Sequence, residues 1–136
     1  MEAAARVPPI FILYSERLLT HFRDPSNAGQ LPAPALTVDV ENPACGDRLR
    51  LSARIDDGRF AEVRFLAKGC TASIAAGSAL TVWMTGKSVA EVAKMDGAAI
   101  HQAVEDKLDG LPPASRHAAA LCADAVRQLL RSALNL

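Results

Sequence analysis

Three stretches of the chain alternate apolar and polar residues with a period of two. Leu36, Val38 and Val40 alternate with Thr37, Asp39 and Glu41. Leu49, Leu51, Ala53 and Ile55 alternate with Arg48, Arg50, Ser52 and Arg54, and Val63, Phe65 and Ala67 with Glu62, Arg64, Leu66 and Lys68. Successive side chains on a strand point to opposite faces, so each stretch predicts a strand with one apolar face. Asp57-Gly58, between the second and third stretches, is a strong hairpin signal. The expected unit is an antiparallel three-stranded meander with one face to cover. Upstream, a short helix is expected from about Phe11 to His21, followed by RDPSNAGQLPAP, a Pro/Gly/Asn linker. Residues 1–10, rich in Ala and carrying Pro8-Pro9, read as a loose tail.

After Gly69-Cys70 the period becomes helical. TASIAAGSALTVWMTG carries Ile74, Leu80 and Met84 on helical spacings, and Gly86 supplies its stop. Ser88 and Glu91 form a capping-box pattern that opens SVAEVAKM. A further helix is expected over residues 98–108. Leu111-Pro112-Pro113 breaks the chain before a long last helix from Ala114 to about Leu134, with Leu121, Ala125, Leu129 and Val126, Leu130, Leu134 as its apolar lines. The predicted fold is α+β, a three-stranded antiparallel meander with helices packed on one face and a long C-terminal helix.

Composition narrows the function classes. The 136 residues suit a single domain over residues 1–136, and half of them are hydrophobic. Fifteen basic and fifteen acidic residues cancel, which gives no support to nucleic-acid binding. VPPIFILY is too short and proline-rich to span a bilayer, and it lacks the basic flank and cleavage site of a secretory signal. The expected location is cytoplasmic, with no membrane partner. Neither a CxxC pair, a Ser-His-Asp set nor a phosphate-cradling glycine loop is visible, which argues against a hydrolase or redox enzyme.

Candidate chemistry lies with the cysteines, Cys45, Cys70 and Cys122. An odd count without an export signal is a poor disulfide framework and a better thiol or metal set. Cys45, in NPACGD, is bent into view by the Pro and Gly around it. It precedes the second strand, whereas Cys70 follows the third, so a meander returns both to one end of the sheet. Asp47 is two residues from Cys45, and His117 lies near the start of the last helix. Two thiolates, a carboxylate and an imidazole make a sound four-ligand site for zinc or iron. Cys122, in mid-helix, reads first as a small buried residue.

Four segments carry a family resemblance: YSERLLTHFRDPSNAG at 14–29, NPACGD at 42–47, GCTASIAAGSALT at 69–81 and LPPASRHAAALCADAV at 111–126. Across nearly its full length the chain resembles the IscU/NifU-type iron–sulfur cluster assembly scaffolds, including the SufU branch. The resemblance implies an IscU/SufE-like fold and a non-enzymatic scaffold. It would accept sulfur from a cysteine desulfurase on Cys45 and Cys70, and bind iron and a transient [2Fe–2S] cluster. The implied metal ligands are Cys45, Asp47, Cys70 and His117. Further implied partners are cluster-transfer chaperones, read at Leu111, Pro112 and Pro113, and apo iron–sulfur proteins.

Two departures qualify these implications. The family places a third cysteine directly after the histidine, where this chain has Ala118. Cys122 stands one helical turn further and is carried as a fifth candidate ligand, although one turn is about 5.4 Å of rise. In the cluster-scaffold branch Leu-Pro-Pro continues with Val-Lys, where this chain has Ala114-Ser115. The alternatives are therefore a zinc-binding, SufU-like persulfide acceptor that stimulates a desulfurase, or a divergent paralogue with impaired cluster assembly.

Overall fold

A computed structural model describes residues 13–134. The expected tail over residues 1–10 and the first residues of the predicted opening helix lie outside the described residues. Helix α1 (Glu16–Arg23) precedes strands β1 (Leu36–Glu41), β2 (Arg48–Asp56) and β3 (Arg59–Lys68). Helices α2 (Thr71–Met84), α3 (Val89–Ala93) and α4 (Gly97–Lys107) follow, then a 3₁₀ turn (Pro113–Ser115) and α5 (Arg116–Leu134). The sheet is antiparallel in the order β1-β2-β3, as the alternation predicts.

Val38, Val40, Leu49, Leu51, Ala53, Val63 and Phe65 form the buried sheet face. The long helix α5 covers β1 and β2, and α2 covers β3. Helix α2 is buried almost all round, between the sheet and helices α1, α4 and α5. Its alanines, Gly77 and small hydroxyl residues let those neighbours approach closely. At Gly77 an added Cβ would stand 2.4 Å from Cδ2 of Phe65. The hydroxyls of α2 also hold the linker: Ser78 Oγ accepts from Ser26 N at 2.7 Å, and Asn27 Nδ2 donates to Thr81 Oγ1 at 3.2 Å.

Three boundaries differ from the sequence expectation. Helix α1 starts at Glu16, not near Phe11, because Ser15 caps it and accepts from Leu18 N at 3.0 Å. Strand β3 starts at Arg59, directly after the Asp57-Gly58 turn. The pairing shifts between Arg54↔Glu62 and Ile55↔Phe60, which leaves Ala61 as an extra residue and puts Phe60 out of step with the alternation. The last helix opens as a 3₁₀ turn before Arg116. The capping box at Ser88 and Glu91 has both its bonds, at 3.0 and 2.7 Å.

The contact at Gly77 gives a direct test of the packing. Ala is a better helix former than Gly by about 1 kcal/mol, yet crowding Phe65 costs about 1–3 kcal/mol. Gly77→Ala is expected to lower the urea midpoint with an unchanged m-value, and a raised midpoint would contradict the close approach.

Candidate metal centre

The register fixes where the candidate residues meet. Arg48 pairs with Lys68, so the loop before β2 and the segment after β3 leave the same end of the sheet. The first is a closed turn. Asn42 Oδ1 accepts from Ala44 N at 3.0 Å, Asn42 O from Gly46 N at 2.7 Å, and Asp47 O from Asn42 N at 2.8 Å. Gly46 takes a left-handed φ of 77°, which a side chain would strain. Cys45 is exposed at the tip of this turn, while Asp47 is turned inward and only 8% exposed.

Cys70 is exposed at the N-cap of α2, with no side-chain capping bond of its own. The backbone N–H groups and dipole at that end favour negative charge. His117 is the second residue of α5, placed there by the 3₁₀ turn. Its Nδ1 lies 3.2 Å from Ala114 O. A carbonyl only accepts, so Nδ1 carries the proton and Nε2 is directed into the site.

Nε2 of His117 stands 3.3 Å from Oδ2 of Asp47, and Sγ of Cys70 stands 3.7 Å from that oxygen and 3.8 Å from that nitrogen. Ligand atoms of Cys45, Asp47 and His117 also lie within 4.8 Å of one another. Two nitrogen or oxygen ligands of one tetrahedral metal stand roughly 3.3–3.4 Å apart, and a sulfur stands roughly 3.5–3.6 Å from either, given bonds of about 2.0–2.1 and 2.3 Å. The three distances among Asp47, His117 and Cys70 are close to these edges. With Nδ1 donating to the carbonyl, Nε2 meets the carboxylate oxygen across a proton or across a cation in its place. The donor set suits zinc or iron.

Burial alone would raise the Asp47 pKa. The hydrogen bond from Ser73, the charge and hydrogen bond of His117, and the Cys70 thiol outweigh burial and hold the carboxyl below its usual range. It is therefore an anion at neutral pH, ready to take a cation.

Two contributors to this arrangement were missed in the sequence. Ser73 donates to Asp47 Oδ2 at 2.5 Å and lies 3.3 Å from Cys70 Sγ. Three residues along α2 from Cys70 is one helical turn, which was the available signal. Gly69 backs the carboxylate from the other chain segment: a Cβ there would stand 2.6 Å from Asp47 Cγ.

Cys122 is placed apart from these residues. It is 1% exposed in the core formed with Ala118, Ala125, Val126 and Leu129, and burial pushes its thiol up to about 12. As a fifth ligand it is corrected to a core residue, because it shares the inward face of α5 with Ala118, itself 1% exposed. Leu111 and Pro112 are half-buried and Pro113 is exposed, in the loop that leads to the His117 turn. Among the described residues, no helix is long and apolar enough to cross a membrane.

A meander backed by helices on one face, with two exposed thiols near a buried carboxylate and a partly exposed imidazole, defines a small α+β domain that presents thiol, carboxylate and imidazole groups at one end. The chain belongs to the NifU-like N-terminal domain family, whose model matches residues 13–132. It is 33% identical over 118 residues to the iron–sulfur cluster assembly scaffold protein IscU 1 of Archaeoglobus fulgidus, covering 87% of this chain and 74% of that protein. It is 34% identical to the scaffold protein IscU of Haemophilus influenzae, with coverage of 84% and 90%. A Drosophila melanogaster relative, also 34% identical with coverage of 87% and 76%, is named an assembly enzyme. Among solved structures, the N-terminal NifU-like protein of Brucella abortus shares the fold, with a TM-score of 0.71, 21% identity and coverage of 93% and 97%.

The placement of the thiols predicts their reactivity. Under native conditions an alkylating reagent is expected to modify Cys45 and Cys70 and to spare Cys122 until the chain is unfolded. Mass spectrometry of the labelled peptides reads this out, and labelling of Cys122 at the rate of the other two would contradict its burial.

Proposed function

We propose that the chain is a non-enzymatic scaffold for iron–sulfur cluster assembly that accepts sulfur from a cysteine desulfurase and carries iron and a transient [2Fe–2S] cluster as cargo. The observation that carries this is the cluster of Asp47, His117 and Cys70 at spacings close to those of metal ligands, with the exposed thiol of Cys45 within 4.8 Å of Asp47 and His117. The names of the relatives support the same reading. Cys45, Asp47, Cys70 and His117 supply four donors, the number that terminates the two irons of such a cluster. The two hard donors leave the cargo less tightly held than four thiolates would.

Sulfur transfer needs an accessible thiolate. The Cys45 or Cys70 thiolate attacks the outer sulfur of the donor persulfide, forming a new S–S bond while the donor S–S bond breaks and leaves a desulfurase thiolate. Exposure of both cysteines suits that encounter. The Leu111-Pro112-Pro113 loop, beside the His117 turn, is the proposed contact for a cluster-transfer chaperone, and apo iron–sulfur proteins are the proposed recipients. The proposed location is cytoplasmic.

A second reading has its own support. With Ala118 buried where the family resemblance places a third thiol, the remaining two sulfurs, one nitrogen and one oxygen form a four-coordinate set that suits resident zinc. The chain would then be a zinc-bound persulfide acceptor that stimulates a desulfurase.

Anaerobic incubation with iron, cysteine and a desulfurase separates the two. The scaffold is expected to gain visible iron–sulfur absorbance, lost in Cys45→Ala and Cys70→Ala. Tightly bound zinc in the purified chain, no chromophore, and desulfurase stimulation abolished by either substitution would select the zinc acceptor. Neither metal nor any desulfurase response, beside a competent control, would overturn both.

A further inference from the structure

We propose that Ser73 is a positioning residue of the metal centre: its hydroxyl fixes which oxygen of Asp47 faces the cation and so sets the affinity of the site. This rests on the metal-binding reading above and deepens it. Ser73 is 4% exposed in the first turn of α2, three residues after Cys70, and its Oγ reaches both Asp47 Oδ2, at 2.5 Å, and Cys70 Sγ, at 3.3 Å.

The chemistry of the hydroxyl gives these contacts a direction. An ionised carboxylate only accepts, so the single Ser73 proton goes to Asp47 Oδ2. The Ser73 oxygen, 3.3 Å from Cys70 Sγ, keeps its lone pairs for other donors. Oδ2 is also the oxygen that faces His117 Nε2 at 3.3 Å. A carboxylate on two rotatable bonds would otherwise sample several orientations. The Ser73 bond, with the Gly69 backbone against the carboxylate, leaves one orientation, in which Oδ2 keeps a free lone pair beside Nε2 and Cys70 Sγ. Hydrogen-bonding partners of metal ligands of this kind typically contribute 10–100-fold to affinity.

The test is a double-mutant cycle on zinc binding, read by competition with a chromophoric chelator, with cobalt(II) spectra reporting the ligand geometry. Alanine is smaller than serine and a better helix former, so α2 is retained. Ser73→Ala is expected to weaken zinc binding 10–100-fold and to alter the cobalt visible bands, with the urea midpoint near that of the unaltered chain. Ser73→Thr, which keeps the hydroxyl, is expected to restore affinity to within about threefold. In an Asp47→Ala background, Ser73→Ala is expected to change affinity less than twofold, because its effect runs through Asp47. Equal losses in both backgrounds, equal losses in the Ala and Thr variants, or a Ser73→Ala chain that does not fold would overturn the positioning role. An unaltered chain that binds no zinc or cobalt overturns the metal reading itself, whereas one that binds them as tightly as Ser73→Ala overturns only this inference.

Discussion

The structure is organised around one oxygen atom. Oδ2 of Asp47 is withdrawn from solvent, held as an anion, and approached by an imidazole nitrogen, a thiol sulfur and a serine hydroxyl. The carboxylate comes from the turn before β2, the thiol and the hydroxyl from the N-terminus of α2, and the imidazole from the first turn of α5. The sheet register fixes the first two relative to each other, and the packing of α5 across β1 and β2 fixes the third. A buried carboxylate is costly without positive charge beside it, which a protonated His117 or a bound cation supplies. The fold therefore places the demand for positive charge at the end of the sheet where the two exposed thiols stand.

Much of this was legible before folding. Period-two alternation marked the three strands, Asp57-Gly58 marked the hairpin, and from these alone Cys45 and Cys70 had to return to one end. What escaped has physical reasons. The bulge at Ala61 takes Phe60 out of phase, so β3 looked shorter than it is. Ser15 is a local cap, and the apolar run ahead of it drew the helix start too far upstream. Ser73 sits among alanines in a helix buried on nearly every side, where a small hydroxyl residue reads as packing. Its function depends on the side-chain direction of Asp47, which no periodicity encodes. Gly69 was visible only as the neighbour of Cys70, and its close contact with the carboxylate is a tertiary fact.

The substitution at position 118 distinguishes this chain within its family resemblance. Helical phase carries Ala118 and Cys122 inward together, into contact with the core and not with the ligand group. A thiol pushed up to about 12 by burial stays protonated at neutral pH and is a poor ligand. The proposed ligand set is thus two sulfurs, one oxygen and one nitrogen, a mixed set whose hard donors suit a loosely held soft-metal cargo.

X-ray absorption at the zinc edge, on the zinc-loaded chain, tests this ligand set most directly. The account predicts two sulfurs at about 2.3 Å and two nitrogen or oxygen ligands at about 2.0–2.1 Å. Three sulfurs around the metal would mean that Cys122 leaves the core to bind, and a shell of oxygen and nitrogen alone would mean that Cys45 and Cys70 do not hold the cation. Either result would contradict it.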